Sequence, residues 1–130
     1  GSLFWTGKVW ARNRSIYTCA NEDRNYNGVL DAGEDDNGSG VVEPGNVISV
    51  SPGTLKSDST GRATISLIYA ESYAPWVDVK LRVEAIVSGT ESSKEALFTV
   101  SGEAGDFTNE AIPPAGVDSP FGFNACNLPN

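Results

Sequence analysis

Val77-Asp78-Val79-Lys80-Leu81-Arg82-Val83-Glu84-Ala85-Ile86-Val87 alternates apolar and polar side chains almost without a break. In an extended chain, period two places Val77, Val79, Leu81, Val83, Ala85 and Val87 on one face. Asp78, Lys80, Arg82 and Glu84 fall on the other, with Ile86 the single apolar departure. The stretch reads as a strand with one face in a core and one in water. Residues 62–70 repeat the pattern, Ala63, Ile65, Leu67 and Tyr69 opposing Thr64, Ser66 and Ile68. Ala96, Phe98 and Val100 give a shorter case, and residues 47–50 a fourth. Before them, residues 7–11 and 15–19 are two further candidates separated by Arg12-Asn13-Arg14. Turn signals punctuate the series at Ser51-Pro52-Gly53, Asp58-Ser59-Thr60-Gly61, Ala74-Pro75 and Ser88-Gly89-Thr90. Helical spacing never persists, so the expected fold is all-β, an antiparallel β-sandwich.

Length and charge set the frame. At 130 residues the chain is expected to be a single domain. It opens Gly1-Ser2 and contains no Met, which reads as a cloning scar ahead of an excerpt from a longer protein. Formal net charge is −8, yet residues 22–46 carry Glu22, Asp23, Asp31, Glu34, Asp35, Asp36 and Glu43 against Arg24 alone. Charges of one sign so concentrated repel in a folded loop unless cations neutralise them. No basic patch accompanies them, which argues against nucleic acid as a partner, and no apolar run is long enough to insert this domain into a membrane.

Residues 23–34 fit a twelve-residue calcium loop position by position. Asp23, Asn25 and Asn27 put side-chain oxygens at the first, third and fifth places, and Gly28 permits the sharp turn at the sixth. Val29 contributes its backbone carbonyl, Asp31 stands ninth, and Glu34 is long enough to close the site with both oxygens. Residues 35–46 repeat the template with Asp35, Asn37, Ser39, Gly40, Val41 as carbonyl donor, Glu43 and Asn46. Ser39 is a poorer ligand than Asn or Asp, and Asn46 cannot chelate as a bidentate anion, so Asp36 or a water is the expected substitute. Hard oxygen donors with no histidine in the chain point to Ca²⁺, as one or two ions. The second loop starts where the first ends, leaving no room for the helices that flank each loop of an EF-hand. The arrangement resembles the tandem loops of thrombospondin type 3 repeats.

The chain's two cysteines, Cys19 and Cys126, are expected to form a disulfide and to place the protein outside the reducing cytosol. Closing 106 intervening residues stabilises by about 4 to 5 kcal/mol on the chain-entropy account. The segment 102–130, rich in Gly, Pro and Asn, is expected to lack regular structure and to be tied back to Cys19, with Phe121 and Phe123 docking it.

Gly53-Thr54-Leu55, the run from Ser57-Asp58-Ser59-Thr60-Gly61-Arg62-Ala63-Thr64-Ile65, and Val83-Glu84-Ala85-Ile86-Val87-Ser88-Gly89-Thr90 together resemble the second half of bacterial immunoglobulin-like domains of the invasin and intimin type. The likeness covers about 50 of 130 residues, from Ser51 to Val100. It implies an Ig-like sandwich carrying the calcium double loop as an insertion, with neighbouring domains of a longer chain as partners. The implied role is structural or adhesive, in a secreted or cell-surface bacterial protein, at an extracellular or periplasmic location. The acidic loops and the cysteine-tied tail depart from that family's pattern.

Trp5, Trp10, Trp76, Tyr69 and Tyr73 offer faces on which sugars stack, so binding of a surface glycan or host protein is the alternative function; core packing is the plainer reading of these rings. Enzymatic work is not expected. Asp78 and Glu84 share a strand face with Lys80 and Arg82 as a solvated charge stripe, there is no histidine, and no nucleophile motif is present.

Overall fold

The computed structural model describes residues 1–13, 18–87, 89–115 and 117–129. Among the described residues six strands form three two-stranded antiparallel sheets: β1 (Leu3–Trp5) with β2 (Trp10–Arg12), β3 (Ser49–Ser51) with β4 (Ser66–Ile68), and β5 (Asp78–Val87) with β6 (Thr90–Thr99). Among the described residues the only helical segment is the 3-10 turn Glu71–Tyr73, and no helix is long and apolar enough to cross a membrane. The chain divides into two compact units. One, here the hairpin unit, comprises Ser2–Asn13 and Glu71–Pro120; the other, the loop unit, comprises Gly1, Arg14–Ala70 and Phe121–Asn130.

In the hairpin unit β5 is the strand read from residues 77–87, and its register with β6 sorts the side chains as the alternation requires. Val79 stands opposite Phe98 and Leu81 opposite Ala96 on one face; Lys80 faces Leu97 and Arg82 faces Glu95 on the other. Lys80 and Glu95 pair at 3.8 Å and Arg82 and Glu84 at 2.9 Å, exposed contacts that contribute little to stability. The strand expected around 96–100 begins earlier, at Thr90. Its first half carries polar groups on both faces and so shows no apolar period; pairing with β5 holds it extended. Buried apolar side chains here are Leu3, Ala74, Val77, Val100 and Pro114, with Val100 donating its N–H to the Val77 carbonyl at 3.0 Å.

The strand expected over 7–11 begins only at Trp10, where β2 pairs back on β1 with Trp5 opposite Trp10, and the residues before it form the hairpin turn. The Thr6 hydroxyl donates to the Val9 carbonyl at 2.7 Å and accepts the Val9 N–H at 3.1 Å, closing the turn. Arg12 leaves β2 with its side chain only 10% exposed. Its Nη1 donates to the carbonyls of Pro75 and Trp76 at 2.9 and 3.0 Å, and its Nη2 pairs with Asp78 at 3.2 Å.

In the loop unit β4 starts only at Ser66, four residues after the expected Arg62. The reason is the Asp58 turn. Its carboxylate accepts the Thr60 N–H, the Thr60 hydroxyl and the Arg62 N–H at 2.8, 2.7 and 2.9 Å, and Asp58 N–H meets the Arg62 carbonyl at 2.7 Å. Arg62 is thus spent on the turn. Of the strand expected at 15–19, residues 15–17 lie outside the described residues, as does Ser88 of the expected turn at 88–90. Cys19 and Cys126 are joined in a disulfide with Cα atoms 5.4 Å apart. Turns and bends make up the described residues of 102–129, apart from one bridge between Ser2 and Asp118.

Two expectations follow. Arg12→Met removes the bonds of its guanidinium to the Pro75 and Trp76 carbonyls and to Asp78, and lowers stability by about 2 kcal/mol in urea unfolding followed by tryptophan fluorescence. The Asp58 carboxyl is held below the usual carboxylate range, first by the Thr60 hydroxyl and then by the Arg62 and Thr60 N–H groups. A depressed folded value means that the turn keeps its full contribution above the unfolded pKa and loses it as pH falls through the folded one. NMR titration will find the Asp58 midpoint below that of an unstructured Asp, and Thr60→Val will raise it.

Candidate metal centre

The acidic segment folds as two copies of one hydrogen-bonding scheme, twelve residues apart. In the first, Asp23 accepts the N–H groups of Asn27 and Gly28 at 3.0 and 2.9 Å, Asn25 accepts Asn27 N–H at 3.0 Å, and Asn27 accepts Val29 N–H at 2.7 Å. In the second, Asp35 accepts Ser39 and Gly40 N–H at 2.9 and 3.1 Å, Asn37 accepts Ser39 N–H at 2.9 Å, and Ser39 accepts Val41 N–H at 3.3 Å. Each bond of the first loop has its counterpart. The third-position amide also reaches the ninth-position acid in both, Asn25 to Asp31 at 2.8 Å and Asn37 to Glu43 at 2.6 Å. Asn27 adds a second amide donor to Asp31 at 2.8 Å, and these two amides hold the exposed Asp31 carboxyl below its usual range.

The turns have a conformational cause. Gly28 and Gly40 have φ of 75° and 78°, and Gly33 and Gly45 of 88° and 66°, values that L side chains rarely adopt. The fourth position is left-handed too, Gly38 at 73° in one copy and Tyr26 at 60° in the other. Tyr26 alone among the described non-glycine residues has positive φ, at an intrinsic cost of about 1 to 2 kcal/mol.

Closure of the two loops is where the structure adds a residue. Glu34, 5% exposed, accepts Arg24 N–H and Asp31 N–H on its two oxygens, each at 3.0 Å, and donates its own N–H to the Asp31 carbonyl at 3.1 Å. For the second loop the same three bonds are made by Glu22, 4% exposed. It accepts Asp36 N–H and Glu43 N–H, each at 3.0 Å, and donates to the Glu43 carbonyl at 3.0 Å. Asn46, the twelfth residue by counting, is exposed and makes no hydrogen bond to the loop. Asp36 does not turn inward either: its carboxylate forms a two-pronged pair with Arg24 at 2.6 and 2.8 Å, while Arg24 also donates to the Gly33 carbonyl. The signal for Glu22 was in the sequence. The dipeptide Glu-Asp recurs at 22–23 and 34–35, so the period begins one residue earlier than the calcium template.

Electrostatically the segment is unfinished. Glu22, Asp23 and Glu34 are buried, and among the described residues none of them pairs with a Lys or Arg; Arg24, the segment's one base, is occupied by Asp36. Among the described residues no three carboxylate, imidazole or thiol side chains gather at one point as a metal cluster. The donors of each loop are instead mixed, its carboxylates interleaved with Asn amides, a Ser hydroxyl and main-chain carbonyls. Hard, oxygen-only donors of this kind suit Ca²⁺.

The other candidates are committed to structure. Trp5 and Trp10 meet at 5.8 Å with planes tilted 60°, and Trp10 Nε1 donates to the Asn109 carbonyl at 2.9 Å, so the pair is not a flat stacking platform. Tyr69, Tyr73 and Trp76 are half-buried. Asp78 is engaged by Arg12 and by the Thr99 hydroxyl at 2.6 Å.

Comparisons with protein-family models, curated sequences and solved structures return no match to this chain.

If Glu22 closes the second loop, Glu22→Ala will collapse hydrogen-exchange protection of the Asp36 and Glu43 amides by about tenfold or more, the worth of a charge-assisted bond, and leave the Arg24 and Asp31 amides protected.

Proposed function

We propose that residues 22–46 hold two Ca²⁺ ions and that the chain is a calcium-stiffened, Ig-like structural or adhesive module of a secreted or cell-surface bacterial protein. The observation that carries the reading is the burial of Glu22, Asp23 and Glu34 with no basic side chain among the described residues paired to them. Carboxylates out of water are costly unless neutralised, and the backbone N–H groups that bind them supply only part of a counter-charge. A divalent cation in each loop supplies the rest.

The first ion takes Asp23, Asn25, Asn27, the Val29 carbonyl and Glu34, with Asp31 as the ninth-position acid. The second takes Asp35, Asn37, Ser39, the Val41 carbonyl and Glu22, with Glu43 in the ninth place. Glu22 there replaces Asn46 and Asp36 of the sequence-based ligand set. What the ions supply is charge neutralisation and a fixed shape for a segment that has no apolar interior.

The adhesive or structural part of the proposal rests on the resemblance to bacterial Ig-like domains. The antiparallel pairing of β5 with β6 within the matching stretch supports it. The disulfide supports a location outside the reducing cytosol.

Titration calorimetry tests the reading. Two calcium-specific sites are expected, with dissociation constants of about 0.1 to 1 mM as in extracellular modules. At ion concentrations about a hundredfold above Kd, each site adds about 2.7 kcal/mol, enough to raise the melting temperature by about 5 to 10 °C. Glu34→Gln and Glu22→Gln should each remove one site and leave the other. The absence of calcium heat in the wild type at millimolar ion sinks the proposal.

A further inference from the structure

We propose that the Cys19–Cys126 disulfide makes the fold of the loop unit conditional on redox state, so that reduction opens this unit while the hairpin unit stays folded. The two units are held together internally by different means. Every buried apolar side chain of the described residues, Leu3, Ala74, Val77, Val100 and Pro114, lies in the hairpin unit. In the loop unit the buried residues are Glu22, Asp23 and Glu34, and its best-covered apolar side chains, such as Leu30, Val42, Val47, Ile48, Ile65 and Leu67, are only half-buried. Apolar burial is the main term that offsets chain entropy, so this unit leans on what remains. That is its hydrogen bonds and one covalent bond.

The disulfide's place in the chain gives it leverage. It joins segments 107 residues apart and carries the C-terminal strip from Phe121 into the loop unit. Cys19 stands three residues before Glu22, whose carboxylate holds Asp36 and Glu43 of the second loop. Cys19 is also exposed, open to an attacking thiolate. A dithiol is the co-reactant. Its thiolate attacks one sulfur to give a mixed disulfide and releases the other cysteine as thiolate, which takes a proton; its second thiol then displaces the remaining cysteine. The dithiol leaves as a cyclic disulfide, and the protein gains two thiols. The device would let the double loop form in an oxidising compartment and keep it unformed in a reducing one. It requires no ion.

Hydrogen exchange read by mass spectrometry on the full chain tests this, oxidised and with excess dithiothreitol, in calcium and in chelator. Reduction is expected to cut protection of the hydrogen-bonded amides of residues 22–43 by up to about a thousandfold, the loop-closure limit, and to leave β5, β6 and Val100 unchanged. The Cys19→Ser/Cys126→Ser double variant should match the reduced chain. The proposal is overturned if protection of the loop unit survives reduction, if both units lose protection in step, or if the oxidised chain shows no loop-unit protection in either buffer.

Discussion

The loop unit depends on the clamping of main-chain N–H groups by buried glutamates. Glu22 and Glu34 each bind two N–H groups, seven residues apart in the chain, on the two oxygens of one carboxylate. This satisfies donors that an irregular segment cannot pair in a ladder, and an unsatisfied buried N–H costs about 1 to 3 kcal/mol. The same clamp forces the carboxylates out of water. Satisfying backbone donors and burying negative charge are therefore one act, and the second part calls for a cation.

The order of the clamps in the chain matters as much as their chemistry. Glu22 precedes the first loop yet closes the second, while Glu34 closes the first and is followed at once by Asp35, which opens the second. The second loop is therefore incomplete without a residue that stands ahead of the first. The exposed Arg24–Asp36 pair spans both loops but adds little, because solvent screens it.

How much of this was legible in the sequence differs by element. The strand over 77–87 was plain because its side chains obey a two-residue period and one face is apolar. β6 was half-hidden, since Thr90, Ser92 and Lys94 on the face it shares with Val83 give no apolar signal; its conformation comes from its partner strand. The start of β4 was misplaced because the Asp58 turn captures the Arg62 backbone, a local competition that alternation cannot show. The loops were legible from oxygen-bearing residues and glycines at fixed steps. Glu22 was not, because a template that counts forward from Asp23 assigns each loop its own twelfth residue, whereas folding supplies that group from whichever residue the chain brings near.

The two units also explain why the motifs that resemble those of bacterial Ig-like domains sit unevenly. The run through Asp58 and Gly61 builds a turn in the loop unit, while the run through Val83 builds part of β5 in the hairpin unit. The first is fixed by polar bonds around one carboxylate, the second by cross-strand pairing of an alternating strand. A chain whose buried apolar side chains, among the described residues, all lie in the hairpin unit, and whose loop unit carries the run of acids, has given up apolar burial in the loop unit as a source of stability. What replaces it must come from a covalent bond or from charge neutralisation, and both depend on the surroundings. On the proposed reading, an oxidising, calcium-bearing medium is the setting in which such a sequence is stable throughout its length.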